Sequence, residues 1–181
     1  MDRQAVHQEM ERARATFHEL LDSASARDLR RRSAGTLWSN KQLLFHMLLG
    51  YLIVRALRNL VVLFSRLPEP VGRSFARLLN AVTVPFDVVN FAGAWLAGTI
   101  LPRRLLAGLF DRVIAALHRR LDHESDATLA RRMAYPTRWD PFFREVMTLA
   151  QVYHFPTQHF DFHRAQLTLS RQGRGGGEQG L

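Results

Sequence analysis

Two histidines near the end of the chain raise the question of what chemistry this sequence could perform. His159 and His163 lie four residues apart in the stretch QHFDFHRAQL, which has the pattern of a helix. Residues at this spacing share one helix face, so two imidazoles placed there can hold one metal ion from a rigid platform. The pair alone does not separate a metal site from surface or core histidines, because the chain has eight histidines and chance pairs are expected.

A third histidine favours a metal site over separate surface or core histidines. His46 lies in the apolar run QLLFHMLLG, where a polar ring must find a partner or lose its solvation. A histidine satisfied inside the core is the usual explanation for one such residue. If its helix faces the last helix, however, His46 can meet His159 and His163 and give three nitrogen donors for one cation. Gly50, one turn later, removes a side chain from the same face, and we expect it to leave room for a water or a substrate.

Composition limits the other kinds of site. The chain has no cysteine, which excludes disulfides, thiolate metal ligands and a cysteine nucleophile. The 25 basic residues exceed the 16 acidic residues, and the formal net charge is +9. No nucleic-acid partner is expected despite this charge, because no aromatic-interleaved basic loop accompanies it. Solvated helix faces explain the scattered arginines more simply.

The hydrophobic pattern predicts an all-α fold, a four-helix bundle with a long crossover between helices 2 and 3. The first helix is expected over about residues 2–22. The second begins at Ser39, with Gln42 completing a capping box, and continues to about residue 64. Residues 71–103 are predicted to form one or two short helices in the crossover, and an apolar stripe over 105–121 marks the third core helix. Residues 1–170 form the predicted domain, and 171–181 a disordered Gly-rich tail.

Prolines complicate the prediction of secondary-structure boundaries after residue 130. The segment 130–143 is expected to be irregular, because Pro136 and Pro141 interrupt it, and no β-hairpin is predicted. Thr148 can cap the next segment, with Gln151 completing a second capping box. Pro156 is expected to restart the helix in its first turn, where a missing N–H costs nothing. The last helix would then run over about 156–170.

Two apolar stretches invite comparison with membrane segments. Residues 43–54 are too few for a span, and residues 80–101 reach spanning length but contain Pro85, Asp87 and Asn90. A transmembrane helix is therefore not predicted, while peripheral membrane contact through residues 80–101 remains open. The N-terminal residues have no apolar signal-peptide core, so a cytoplasmic location is expected.

The two histidine-bearing stretches, TLWSNKQLLFHMLLGYL and TLAQVYHFPTQHFDFHRAQL, resemble the DinB-like superfamily of helical metalloenzymes. In that family one metal-ligating histidine lies in the second helix and two, four apart, lie in the last helix before a Gln-Leu pair. Those positions are His46, His159 and His163 here, followed by Gln166 and Leu167. The resemblance covers helices two and four well and the first and third only by pattern.

This resemblance implies a divalent metal in an open site, most often zinc or nickel, with manganese or iron as alternatives. Some relatives are transferases or isomerases that use a low-molecular-weight thiol such as mycothiol, bacillithiol or glutathione. We therefore expect a metal-dependent enzyme acting on a small-molecule substrate, with thiol transfer favoured over hydrolysis. The alternative is a non-catalytic bundle with a structural metal or histidine cluster, acting as a homodimer interface or as a membrane-surface module.

Substrate contacts are expected from the irregular segment, which could fold over the mouth of the bundle. Tyr135, Arg138 and Trp139 are the candidates, and Arg138 could hold a carboxylate. A packed loop with a surface arginine explains the same residues equally well. The remaining histidines are expected to be exposed on the first and third helices (His7, His18, His118 and His123) or, for His154, to be structural.

Overall fold

The computed structural model describes residues 2–170 of the chain. In that part, eight helices and two short strands follow one another in the order α1 (Arg3–Ser23), α2 (Ala26–Arg30), α3 (Asn40–Phe64), α4 (Glu69–Ala81), α5 (Thr83–Ile100), α6 (Arg103–Asp122), α7 (Asp126–Leu129), β1 (Arg132–Ala134), β2 (Val146–Thr148) and α8 (Leu149–Arg164). The predicted Gly-rich tail, residues 171–181, lies outside the described residues.

Capping side chains begin the helices that carry the histidines. Ser39 accepts a hydrogen bond from the backbone N–H of Gln42, and the Gln42 side chain accepts from the Ser39 N–H. The same reciprocal arrangement joins Thr148 and Gln151 at the start of α8. Each pair satisfies two N–H groups that the first helical turn leaves free. Both predicted capping boxes are confirmed.

Four long helices, α1, α3, α6 and α8, form the bundle. Helix α3 packs against α6 and α8, and α1 packs against the same two helices. Apolar residues recur at helical spacing on the inward faces, and aromatic rings fill the centre, where Phe17 stacks on Phe110 and Tyr51 contacts Phe160. The predicted helical bundle with a long connection between its second and third core helices is confirmed.

The connection consists of α4 and α5, which are longer than the short helices predicted there. Helix α5 packs along α3, and α4 contacts β1. By length and composition, α3 could cross a membrane, and α4 with α5 would pass the same test as one span bent by 65°. Helix α3 contacts α5, α6 and α8, so its apolar composition is that of a bundle core helix.

The segment between α7 and α8 contains a small antiparallel hairpin, so the prediction of no hairpin is wrong. Strand β1 pairs with β2, and Met133 lies opposite Met147. Both methionines are buried and join the bundle core. The eleven residues between the strands contain no two-residue turn signal, and for this reason local sequence did not predict the pairing.

Pro156 lies in the middle of α8, and the predicted restart of the helix at this residue is also wrong. A proline at this position withholds one backbone hydrogen bond and costs about 3 kcal/mol in helix propensity. Residues on both sides of it, from Leu149 to Phe160, are buried in the bundle. We infer that the packing of both halves of α8 outweighs the local cost.

Gly98 provides the closest contact between α5 and α3. A Cβ atom added at this position would lie 2.5 Å from the Cα of Gln42, whereas one added at Gly93 would meet nothing within 4 Å. We predict that Gly98→Ala lowers the free energy of unfolding by about 1–3 kcal/mol, because two backbones must separate. Gly93→Ala is the matched control and should raise it by about 0.5–1 kcal/mol through helix propensity.

Chemical denaturation of both variants checks this prediction. A Gly98→Ala protein as stable as the Gly93→Ala protein would contradict the close packing of α5 on α3.

Candidate metal centre

The three histidines from the two ends of the sequence meet between α3 and α8. Each of His46, His159 and His163 offers one ring nitrogen, and these three atoms all lie within 4.8 Å of one another. The ring centroids are 4.8 Å apart for His46 and His159, 4.7 Å for His46 and His163, and 4.4 Å for His159 and His163. The spatial meeting predicted from the sequence is confirmed, and the cluster could hold a metal ion.

Gly50 allows α8 to bring His159 this close to α3. A Cβ atom at position 50 would lie 2.9 Å from Cδ2 of the His159 ring, closer than real side chains approach. The space opened by the missing side chain is therefore taken by an imidazole. Gly50 also borders the adjacent cavity, and the expectation that it leaves room there for a water or a substrate stays a prediction.

A carboxylate fixes the orientation of His159. The Nδ1 atom of His159 lies 2.8 Å from Oδ2 of Asp140, and both side chains are at most 10% exposed. The other carboxylate oxygen of Asp140 accepts a hydrogen bond from the backbone N–H of Phe142. With its proton on Nδ1, His159 presents the lone pair of Nε2, which is buried and has no hydrogen-bond partner in the structure. Carboxylate–histidine pairs of this kind orient metal ligands.

Gln166 fixes the orientation of the His163 ring in the same way. Its side-chain carbonyl accepts a hydrogen bond from Nδ1 of His163 at 2.7 Å, so Nε2 of that ring is the nitrogen left for a metal. In His46, Nδ1 is buried and unpartnered, and the ring stacks on Trp38 with centroids 4.5 Å apart. Buried polar nitrogens without a partner are rare, and here two of them face one cluster.

Electrostatics favour the neutral form of His46 and of His163. Burial, together with the neighbouring His159 and His163 rings, lowers the pKa of His46 to about 2. Burial and the neighbouring His159 ring lower the pKa of His163 to about 4, although its hydrogen bond to Gln166 opposes the shift. A neutral imidazole is the form that ligates a metal.

The donor set fits a transition metal. Three imidazole nitrogen donors match the ligands of open catalytic sites for zinc and related ions. In His159 and His163 the second ring nitrogen is held by a hydrogen bond. Hard cations such as Mg²⁺ prefer oxygen ligands, which the cluster does not offer. Actual ligation by these residues stays a prediction.

A largely apolar cavity of about 430 Å³ opens beside the cluster. All three histidines line it, together with Asp140, Asn90 and aromatic or aliphatic side chains from α3, the segment just before it, α5, α8 and the hairpin segment (Trp38, Leu49, Ile53, Leu57, Leu60, Phe86, Trp139, Phe143, Phe155 and Phe162). Such a cavity suits an apolar ligand with one polar group near the histidines.

Of the three substrate-contact candidates, the structure places one on this cavity. Trp139 lines it, stacks on Phe86 with ring centroids 3.8 Å apart, and donates a hydrogen bond from Nε1 to the carbonyl of Leu79. The hairpin segment therefore does fold over the cavity, and α5 supports it from the other side.

The other two candidates lie away from the cavity wall. Tyr135 is buried beside Phe143, and its hydroxyl has no hydrogen-bond partner in the structure. Arg138 is exposed, and its backbone N–H donates to Oδ1 of Asn80. Neither residue is among those that line the cavity.

The remaining histidines lie outside the cluster. His7 and His118 are half-buried and stack between α1 and α6, where each also contacts a carboxylate, so the expectation that they are exposed is wrong. His18 is half-buried and pairs with Asp111. His154 contacts Glu9 at 2.9 Å, in keeping with a structural role. These pairings depend on which faces of α1, α6 and α8 meet.

Asp140 is the site residue that sequence reasoning missed. It lies in an irregular segment 19 residues before His159, and no spacing rule links the two. The residues that follow it, Pro141 to Phe143, indicate a loop and do not show which way the loop folds. The carboxylate could be assigned only after β1 and β2 had placed this loop over the cavity.

Removing the Asp140 carboxylate should weaken metal binding. We predict that Asp140→Ala lowers zinc affinity roughly 10- to 100-fold, because Nδ1 of His159 loses the acceptor that fixes its ring. Competition with a chromogenic chelator measures the affinity. Asp87→Ala, at an exposed carboxylate on α5, is the control and should bind zinc like the parent. Equal affinities for the parent and both variants would contradict the orienting role.

The lowered pKa values should make the metal-free protein sensitive to acid. Below about pH 6.5, the unfolded chain protonates His46 and His163, whereas the folded chain does so only near the lowered pKa values. Unfolding then takes up protons, so stability is complete above about pH 6.5 and is lost as the pH falls. His163→Gln should show a shallower loss in denaturant titrations of chelator-treated protein, and an identical slope for parent and variant would contradict this.

Comparison with known proteins agrees with this site. The DinB superfamily matches residues 9–167, a region that contains all three histidines, Asp140 and the bundle except the first turns of α1. No curated protein and no solved structure matches the chain significantly. The match covers most of the chain, and the helical fold is the one the resemblance implied. The chain belongs to the DinB superfamily.

Proposed function

We propose that this protein is a metal-dependent enzyme that joins a low-molecular-weight thiol to a small substrate with an apolar body. The observation that carries the proposal is the cluster of three imidazoles at the wall of an apolar cavity, two of which are buried and have unpartnered nitrogens among the described residues. A structural metal would need no such cavity beside it. Catalytic sites typically combine three protein ligands with an open position.

The residues present would hold zinc or nickel in preference to harder ions, because all three donors are imidazole nitrogens. His46, His159 and His163 would hold a divalent ion without neutralising its charge, and such an ion would lower the pKa of a bound thiol or water. The protein's own part is orientation: Asp140 and Gln166 hold two of the rings by their Nδ1 atoms.

The cavity lining favours a thiol over water as the nucleophile. Within residues 2–170, Asp140 is the only carboxylate on that lining, and its two oxygens are engaged by His159 and by the Phe142 backbone. No free general base is therefore present on the wall to take a proton from water. A thiol, with its lower intrinsic pKa, becomes a nucleophile with less assistance. Hydrolysis and isomerisation are the alternative reactions at the same site.

The substrate's apolar part would rest between the aromatic side chains. Trp139 and Phe86 stack on each other at one wall of the cavity. At another wall, the rings of Phe143 and Phe155 pack with their centroids 4.7 Å apart. These rings exclude water from the histidines and leave one polar end of the ligand to reach them. Asn90, the remaining polar residue of the lining, can hydrogen-bond that end.

Replacing one ligand should abolish both metal binding and thiol transfer. We predict that His163→Ala fails to retain zinc or nickel after dialysis, because two remaining imidazoles hold the ion too weakly. It should also show no metal-dependent consumption of mycothiol, bacillithiol or glutathione with 1-chloro-2,4-dinitrobenzene as the acceptor. His123→Ala, at an exposed histidine outside the cluster, is the control and should keep both properties.

These two measurements test the metal site and thiol transfer separately. Metal retention by the parent with no thiol consumption would overturn thiol transfer and leave the metal site standing. Equal metal content in the parent and His163→Ala, with both proteins folded by circular dichroism, would overturn the metal site itself.

A further inference from the structure

Helix α5 presents an apolar face to the outside of the bundle. Its inward side, which includes Thr83, Phe86, Asn90, Ala94 and Gly98, packs toward α3 and the cavity. At 100° per residue, the opposite half of the helix carries Pro85 and apolar side chains (Val84, Val88, Val89, Ala92, Trp95, Leu96 and Ile100). Thr99 also falls on this half by spacing, but its carbonyl and hydroxyl accept hydrogen bonds from Lys41 and Gln42 of α3, so it contacts the bundle. A surface helix of a soluble bundle normally shows the reverse pattern.

Helix α4 extends this surface along one edge. Val71, Leu78 and Val82 lie on one side of α4 and are exposed, Leu78 to 60%. Of the 16 large apolar residues exposed in the described part of the chain, ten lie between Val71 and Ile100. Exposed apolar residues scattered singly need no explanation, whereas ten on two successive helices favour an interaction site.

Arginines border the apolar surface. Arg66 lies just before α4, Arg77 lies within it, and Arg104 lies in the first turn of α6, which follows α5. All three are exposed, and the structure shows no carboxylate within salt-bridge distance of them in residues 2–170. Glu69, the one acidic residue of α4, already pairs with Arg73 at 2.6 Å.

We propose that the outer face of α5 and the adjoining edge of α4 dock on the surface of a membrane that contains anionic lipids. An apolar helix face bordered by arginines, with a tryptophan on it, has the composition of helices that lie in the lipid interface. Each arginine near an anionic surface adds to the attraction. This proposal rests on the outside of α5 and is independent of the chemistry proposed for the histidines.

Polar contacts hold α5 against the bundle and keep it from crossing the bilayer. Trp38 donates from Nε1 to the carbonyl of Phe91, Lys41 donates to the carbonyl of Thr99, and the Gln42 amide donates to the Thr99 hydroxyl. Helices α4 and α5 are bent by 65° relative to each other. Docking therefore buries the outer face of α5 while its inner face stays on α3.

Charge complementarity selects a membrane over a second copy of the chain. A second copy placed against α5 would bring the same arginine border, and it would offer few acidic groups, because Asp87 lies at the flank of α5 and Glu69 is already paired. Anionic headgroups supply the missing negative charge along the whole border. The net charge of +9 acts in the same direction.

Docking would place the candidate metal cavity directly behind the membrane surface. Phe86 and Asn90 line the cavity from the inner side of α5, so one helix, about 10 Å across, separates the cavity from the lipid. An apolar substrate dissolved in the lipid would then be concentrated beside the enzyme that uses it.

Flotation of the full chain with vesicles tests the proposal. The protein should float with vesicles of phosphatidylglycerol and phosphatidylcholine, and much less with phosphatidylcholine alone. Val84→Ser combined with Trp95→Ser, at residues 71% and 50% exposed, should weaken binding roughly tenfold or more. Leu37→Ser with Val146→Ser, at residues 71% and 45% exposed outside α4 and α5, is the matched control and should bind like the parent.

Charge and histidine variants complete the experiment. Arg77→Glu and Arg104→Glu should each reduce binding to the anionic vesicles at least about fivefold. His163→Ala should float like the parent, which separates this proposal from the metal chemistry. Membrane docking would be overturned if the parent protein floated with neither vesicle type. It would also be overturned if the parent sedimented as a dimer that the Val84→Ser and Trp95→Ser double variant dissociates.

Discussion

The close approach of α3 and α8 at Gly50 is the constraint on which the site depends. Because position 50 has no side chain, the His159 ring can lie against the backbone of α3 and share one buried space with His46 and His163. Three imidazoles confined in this way lose solvation, and burial holds the pKa values of His46 and His163 below their ordinary range. Neutral rings with unused nitrogens are costly to bury without a partner, and a metal ion is the partner that would satisfy all three.

The surrounding fold positions these rings and shields them. Capping boxes set the first turns of α3 and α8, the hairpin brings Asp140 over the cavity, and α5 closes the opposite wall with Phe86. The elements outside the four bundle helices thus supply the orienting carboxylate and much of the cavity wall. The bundle alone would hold the histidines and leave them exposed on one side.

Local signals in the sequence predicted the parts of this structure that depend on neighbouring residues. The caps at Ser39 and Thr148, the amphipathic helices and the shared face of His159 and His163 follow from spacing, and the resemblance supplied the partnership with His46. Tertiary packing decided the rest. Pro156 continues a helix that local rules would end, and β1 pairs with β2 across a loop with no turn signal. Asp140 could not be assigned because its contact with His159 exists only after that pairing.

X-ray absorption at the zinc edge of the reconstituted protein tests the central claim most directly. We expect an ion bound by three imidazoles at about 2.0–2.1 Å, with a further position left for solvent or an added thiol. The Asp140→Ala protein should show greater disorder in the imidazole shell. A spectrum with oxygen ligands only, or a protein that retains no zinc, would contradict the account.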